Sequence, residues 1–105
     1  MSDKEDKIPK HYRVIESNHP RVAELHRQLA DAARAEGPID PKTAHLIQLA
    51  AAVAVRSEGA VHSHARRALQ AGASNAEIRH AVILLTTTLG FPAVAAAMDW
   101  LNDLI

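Results

Sequence analysis

One histidine in the middle of the chain, His64, has small neighbours on its helix and could transfer a proton to a bound molecule. On a helix, four residues share one stripe with His64, at spacings of minus seven, minus four, minus three and plus four: Ser57, Ala60, Val61 and Ala68. These neighbours are small, so space can exist beside the imidazole. An imidazole shuttles protons near neutral pH, and the Ser57 hydroxyl could position a substrate. The competing interpretation is a hydrogen-bonded core histidine, the more frequent role of a single inward histidine.

Other histidines raise the question of a metal site, because histidine is a common zinc ligand. His62 and His64 are two residues apart on the same predicted helix, so they point about 200° apart and cannot hold one ion together. Glu58 and His62 have the i, i+4 spacing of a two-ligand site. The same spacing is typical of an ion pair on a solvated face, which we favour. We therefore predict no metal ion and no cofactor for the single chain, and a site that combines histidines from different copies of the chain stays open.

Composition and charge limit the possible classes of function. The 105 residues include 12 Lys and Arg and 12 Asp and Glu, so the formal net charge is zero and neither nucleic acid nor a membrane surface is an expected partner. No apolar run of about 18 residues is present, and the charged first residues have no signal-peptide pattern, so we expect a cytoplasmic protein. The chain has no cysteine. Disulfides, Cys-ligated zinc and every thiol nucleophile or redox couple are therefore excluded.

The elements that would position these residues are predicted to be helices only, because the chain has no useful period-2 run. Residues 1–8 are expected to form a solvated tail and residues 9–105 a single domain. A short helix is predicted over 9–17, followed by one that Asn18 caps, Pro20 opens and Gly37 ends. Its apolar stripe is expected to face inward, formed by Val22, Leu25, Leu29, Ala32 and Ala33. The polar residues expected to face outward are Glu24, Arg27, Gln28, Asp31 and Arg34.

Further helices are predicted to carry the core. Asp40 caps a helix that runs to about Val55, residues 57–70 form the next, and Gly72 ends it. A capping box of Ser74 and Glu77 opens a helix that continues to residue 89, and a last helix follows from residue 92. The helices over 41–55 and 75–89 are apolar nearly all round. Since an alanine-rich core buries little area per residue, we expect burial against copies of the same chain; the alternative is coverage by flanking helices in a monomer.

The order of these signals resembles the core of the carboxymuconolactone decarboxylase and alkylhydroperoxidase-D-like family. The resemblance covers about residues 40–97 and is carried by Pro41-Lys42-Thr43, His64, Gly72-Ala73-Ser74, Glu77-Ile78 and Gly90-Phe91-Pro92-Ala93. It implies a small all-α domain of about five to six helices. It also implies assembly of the chain with itself into a homotrimer or homohexamer.

The same resemblance assigns candidate site residues. In thiol-using members of the family, a Cys-x-x-Cys pair ends four residues before the histidine, and a glutamate lies twelve residues before the first cysteine. Those positions are Ser57, Ala60 and His45 here, so His64 alone matches. A thiol peroxidase needs one thiolate to attack the peroxide and a second to resolve the sulfenic acid, which serine and alanine cannot do. The candidate catalytic residues are His64, His45 and Ser57, sharing one pocket.

From these residues we expect a proton-transfer or decarboxylation enzyme that acts on a small organic acid without thiol redox chemistry. Stabilising an enolate or dienolate needs a proton donor and an anion-stabilising group, and two histidines could serve. The alternative is a non-catalytic oligomeric binding or assembly protein with a vestigial pocket. A third hypothesis is alkyl hydroperoxide reduction through a cofactor that the sequence does not reveal. A cleft with His64 near another polar side chain supports the enzyme, and tight apolar packing around His64 supports the scaffold.

Overall fold

A computed structural model describes residues 10–105, with side chains from Tyr12 onward, and all regular structure in this part of the chain is α-helical. The helices are α1 (Lys10–Asn18), α2 (Pro20–Ala35), α3 (Pro41–Ala54), α4 (Glu58–Gln70), α5 (Asn75–Ile83), α6 (Thr86–Leu89) and α7 (Phe91–Trp100). The all-α prediction is confirmed. The tail predicted over 1–8 lies outside the described residues, as does the predicted helix start at residue 9.

Side-chain caps explain why two central helices begin where they do. Asp40 accepts hydrogen bonds from the backbone N–H and the hydroxyl of Thr43, at 3.1 and 2.7 Å. The Ser74 hydroxyl accepts from the N–H of Glu77 at 3.0 Å, and the Glu77 carboxylate accepts from the N–H of Ser74 at 2.9 Å. These bonds satisfy N–H groups that have no partner inside the helix. Both predicted caps are confirmed.

The cap predicted for α2 is wrong by one residue. Asn18 is the last residue of α1, where its side-chain amide donates to the carbonyl of Val14 at 3.0 Å. His19 occupies the N-cap position and makes no side-chain capping bond. A residue that precedes proline is pushed out of the helical region by the proline ring, so Pro20 places the break at residue 19.

The helix predicted over 75–89 is interrupted. It ends at Ile83, and the four-residue α6 follows after a turn. The Thr86 hydroxyl donates to the carbonyl of Ile83 at 2.7 Å, and the N–H of Leu85 donates to Val82 three residues back at 3.1 Å. The tightened turn explains why one predicted helix becomes two.

The core lies where α3 and α4 pack against each other and against α5 and α7. Its largest fully buried side chains are Leu49, Val53, Val61, Ile78, Val82 and Leu101. Alanines fill much of the remaining space: Ala52, Ala65, Ala68 and Ala97. Such small side chains let helices approach closely, and the α3–α4 pair has the most extensive contact in the structure.

A tight turn joins α3 to α4 and fixes how the two helices face each other. Arg56 has a positive φ of 56°, the N–H of Arg56 donates to Val53 at 3.0 Å, and the N–H of Ser57 donates to Ala52 at 3.0 Å. These bonds satisfy the last carbonyls of α3. The helices therefore run back along each other with a defined register.

The α1–α2 hairpin lies apart from this core. The two helices pack on each other, and α2 makes only sparse contacts with the rest of the described chain. The apolar stripe predicted to face inward is exposed in the single chain, with Val22 at 60%, Leu25 at 47% and Leu29 at 69%. Arg34, predicted to face outward, has a side chain only 15% exposed. Gln28 and Asp31 are exposed as predicted, but the apolar stripe is exposed as well and Arg34 is not, because periodicity shows which residues share a face and not what covers that face.

Within residues 10–105, no helix combines the length and apolar character that crossing a bilayer requires.

Candidate active site

Two histidines that are 19 positions apart meet where α3 packs on α4. The Nδ1 atoms of His45 and His64 are 3.4 Å apart, the ring centroids are 5.6 Å apart, and the ring planes are inclined by 35°. His45 is buried, with 8% exposed, and His64 is half-buried. A hydrogen bond across this contact in the neutral pair requires one Nδ1 to carry the proton and the other to accept it, which places the two rings in opposite tautomers. The structure thus brings two of the three predicted site residues together.

A cavity of about 490 Å3 opens on the His64 side of this pair. The α1–α2 hairpin forms one wall and α4 forms much of the other, with Gln48 contributed by α3. Its polar lining consists of Tyr12, Glu16, His26, Arg27, Arg34, Gln48, Ser63, His64, Arg66 and Arg67. His45 lies behind His64 and is not part of the wall. The volume is in the range of small-molecule sites in proteins.

Ser57, the third predicted site residue, does not line this cavity. It is the N-cap of α4, and its hydroxyl accepts a hydrogen bond from the N–H of Ala60 at 3.4 Å. Ala60 itself does line the cavity, next to Gly59. The structure therefore gives Ser57 a capping role at the helix start and leaves a methyl group facing the cavity at position 60.

Two arginines from α2 reach the cavity with their charges partly balanced. Arg27 pairs with the carboxylate of Glu24 one turn before it. Arg34 pairs with Asp31 at 3.0 Å, and it also donates to the side-chain carbonyl of Gln48 on α3 at 3.3 Å. The Arg34–Gln48 bond is a polar link between the hairpin and the body of the protein. It helps to hold a cationic wall over the cavity.

Two arginines from α4 reach the cavity without a carboxylate partner. Neither Arg66 nor Arg67 forms an ion pair within the described residues, and the Nε of Arg66 is buried there without a hydrogen-bond partner. Glu16 is the one carboxylate of the described residues in the wall, and it pairs with Arg27 at 3.5 Å. The cavity therefore has an excess of positive charge, which attracts an anionic ligand.

Burial and these cations keep both histidines neutral. The pKa of His64 falls from 6.5 to about 4, first because burial penalises the imidazolium and then because of His45, Arg67 and Arg34. The pKa of His45 is lowered by burial and then by Arg34 and Arg67. Burial, followed by the neighbouring charge of Arg67, also lowers the pKa of Arg66. At neutral pH the pair therefore carries no charge and can accept a proton.

His62 lies on another face of α4. Its Nε2 is 3.2 Å from the carboxylate of Asp103 in the last turn of the chain, and its side chain is only 14% exposed. The solvated stripe predicted for Glu58 and His62 is therefore wrong for His62, which packs against the C-terminal turn. In the described part of the chain, no three His, Asp or Glu side chains converge as metal ligands would.

A model of the carboxymuconolactone decarboxylase family matches residues 20–103, most of the chain. The protein belongs to the carboxymuconolactone decarboxylase family. No curated protein matches the sequence. This membership confirms the predicted family and agrees with the all-α fold, and the absence of cysteine makes the chain a member without the Cys-x-x-Cys pair.

For this family member, sequence reasoning missed the cationic lining of the cavity. Arg27 and Arg34 are seven residues apart, so they share a face after two helical turns. Arg67 follows His64 by one turn, and Arg66-Arg67 is a rare adjacent pair of cations in this sequence. The spacing was visible, but only the fold shows that the arginine face of α2 lies opposite the arginines of α4.

Proposed function

We propose that this member of the carboxymuconolactone decarboxylase family binds a small organic acid in its cavity and transfers a proton through His64, without thiol chemistry. The proposal depends on one observation. His64 is on the wall of a cationic cavity, and its Nδ1 is 3.4 Å from the Nδ1 of the buried His45. A group that exchanges protons thus lies beside charges that can hold a carboxylate.

The arginines support the choice of an organic acid. A guanidinium binds a carboxylate through two parallel N–H···O bonds, and such charge-assisted bonds are stronger than neutral ones. Arg66 and Arg67 have no ion-pair partner in the described residues, so a carboxylate can bind them without displacing a side chain. The cavity is also large enough for a small acid with a carbon skeleton of several atoms.

In the proposed decarboxylation, the bond between the substrate carbon and its carboxylate carbon breaks, and CO2 leaves. The electron pair stays on the substrate as an enolate, and His64, which takes up a proton from solvent while the anionic substrate is bound, donates that proton to the carbon. The guanidiniums stabilise the negative charge that develops on the enolate oxygen. His45 keeps the ring of His64 oriented through the Nδ1–Nδ1 contact and accepts part of the positive charge.

The test is turnover of carboxymuconolactone, followed as CO2 release, together with exchange of substrate C–H for deuterium in D2O. We expect His64→Gln to lower the rate by a factor of about 100 or more, the usual effect of losing an acid–base group. His80→Gln is the matched control, because His80 is exposed on α5 and outside the cavity wall. Full activity of His64→Gln, or no activity of the unaltered protein in either assay, contradicts the proposal.

A second candidate is an oligomeric binding protein that does not catalyse a reaction. The exposed apolar stripe of Val22, Leu25 and Leu29 favours association, because monomeric proteins rarely expose a contiguous apolar face of this kind. We propose a homotrimer or homohexamer, which light scattering coupled to size exclusion measures directly. Carboxylate binding without turnover, and without loss of affinity in His64→Gln, would favour this second candidate.

A further inference from the structure

We infer that the cavity takes up its anion together with one proton, which the His45–His64 pair holds as a single positive charge while its facing Nδ1 atoms keep one hydrogen bond between them. This inference rests on the proposed anion site and concerns how that site is regulated. According to this inference, each anion that binds in the cavity brings one proton from solvent with it, so the affinity for the anion rises as the pH falls.

The geometry of the pair sets its capacity at one added proton. The two Nδ1 atoms are 3.4 Å apart, and with the rings in opposite tautomers one Nδ1 of the neutral pair donates to the other. Adding a proton at the free Nε2 of the donating ring leaves this N–H···N bond in place and makes it charge-assisted. A second added proton would set two Nδ1–H groups against each other. Because His45 is buried and His64 faces the cavity, the exchange with solvent passes through His64.

The groups that face the pair explain why the empty cavity leaves it neutral. Burial, then His45, and then the guanidiniums of Arg67 and Arg34 hold the pKa of His64 at about 4. The titratable and charged groups around the cavity are Tyr12 and Glu16 from α1, His26, Arg27 and Arg34 from α2, His45 from α3, and Arg66 and Arg67 from α4. From α5 and α7, apolar side chains such as Ile78 and Val94 complete the core around α3 and α4. Burial and the cations of this set together leave the empty pair uncharged near neutral pH, so an anion that offsets them favours its charged form.

An anion in the cavity reverses this balance. A negative charge within about 4–6 Å favours an imidazolium and raises its pKa. Linkage then requires the proton to favour the anion by the same factor. For the proposed reaction, the consequence is that the substrate's own charge prepares the proton donor. The acid form of His64 is present when a substrate occupies the cavity and absent when the cavity is empty.

The experiment uses sulfate as the probe, because sulfate does not change its protonation state between about pH 5 and 7, so any proton taken up belongs to the protein. Titration calorimetry of the full chain is done in two buffers that differ in ionisation enthalpy. We expect uptake of up to one proton per cavity. We also expect binding about tenfold tighter at pH 5 than at pH 7, with the dependence disappearing below about pH 4, where the empty pair is already charged.

Two histidine variants assign the proton. His64→Gln should bind sulfate with little proton uptake, whereas His26→Gln, which changes another histidine of the same cavity, should retain it. Uptake that is lost in His26→Gln and kept in His64→Gln would overturn the inference. A second measurement does not depend on variants. In histidine-labelled protein at about pH 6, sulfate should move the ring signals of His64 toward those of an imidazolium.

The outcomes separate this inference from the proposed function. Sulfate binding without proton uptake overturns the inference and leaves the anion site intact. The absence of sulfate binding at every pH overturns both, because no anion site then exists. Proton uptake with unchanged His64 signals shows that another group titrates, and that result also overturns the inference.

Discussion

Replacing Ser57 with alanine tests whether this residue caps a helix or takes part in chemistry. The Ser57 hydroxyl accepts one hydrogen bond from Ala60 at 3.4 Å, the long end of the range for such bonds. Ser74 offers a matched comparison on α5, with a 3.0 Å bond and a reciprocal bond from the Ser74 N–H to Glu77 at 2.9 Å. We expect Ser57→Ala to lower stability slightly and to leave cavity function unchanged.

The expected magnitudes follow from these two geometries. Loss of an N-cap side chain costs about 0.5–2 kcal/mol. Because Ser57 makes a single long bond, Ser57→Ala should lower the free energy of unfolding by about 0.5 kcal/mol. Because Ser74 is part of a capping box, Ser74→Ala should lower it by about 1–2 kcal/mol. With an unfolding entropy of about 2.1 cal/mol/K per residue over 105 residues, Ser57→Ala should lower Tm by about 2 °C. The corresponding value for Ser74→Ala is about 4–9 °C.

Differential scanning calorimetry measures both shifts, at one protein concentration because the Tm of an oligomer depends on concentration. Sulfate binding and CO2 release are measured on the same samples. The reasoning is refuted if Ser57→Ala destabilises the protein as much as Ser74→Ala. It is also refuted if Ser57→Ala reduces turnover as strongly as His64→Gln, since that result would place Ser57 in the chemistry.

Other substitutions test the core, a turn, a surface ion pair and the cavity histidine. Leu49→Ala should lower the free energy of unfolding by about 2–5 kcal/mol in a urea titration, because Leu49 is fully buried; a loss below 1 kcal/mol would contradict this packing. Gly72→Ala should cost about 1 kcal/mol, because φ is +104° there although a Cβ would meet no neighbour; an unchanged Tm would refute the argument from backbone strain. Lys42→Ala should cost less than about 1 kcal/mol, since its 3.0 Å pair with Glu77 is partly exposed, and a larger loss that persists in high salt would count against a screened surface pair. The pKa of His64 falls from 6.5 to about 4 on folding, so the unfolded chain binds more protons than the folded one between these two pH values. The free energy of unfolding should therefore rise with pH in this range, by up to about 1.4 kcal/mol per pH unit. His64→Gln should flatten this dependence, and an unchanged slope in that variant would assign the dependence to another group.

The sequence predicted helix boundaries best where a capping side chain marks the first turn of a helix. Asp40 and Ser74 begin α3 and α5 as predicted, because a capping bond is formed within four residues and needs no tertiary partner. The cap predicted at Asn18 was wrong because another local effect determines this boundary: Pro20 excludes the residue before it, His19, from the helical conformation. The break after Ile83 was missed because a threonine hydroxyl competing for a carbonyl leaves the apolar pattern unchanged.

The candidate site was less predictable, because it depends on which helix faces are opposed. His45 was chosen by its position relative to the family's motif, and its burial beside His64 follows only from the packing of α3 on α4. The apolar stripe of α2 predicts that Arg34, on the other face of the helix, points outward. The single chain leaves that stripe exposed and places the arginine over the cavity, an arrangement that no periodicity can reveal.

The short connection at Arg56 has a consequence for how this protein can change over evolution. Each residue added to a helix rotates everything after it by about 100°. If one residue were inserted between Val55 and Ser57 and α4 took it up, the ring of His64 would rotate away from the ring of His45. The two Nδ1 atoms would then no longer be in contact. The link between α2 and α3 carries no such constraint, so length variation among descendants of this chain should accumulate there and spare the α3–α4 corner.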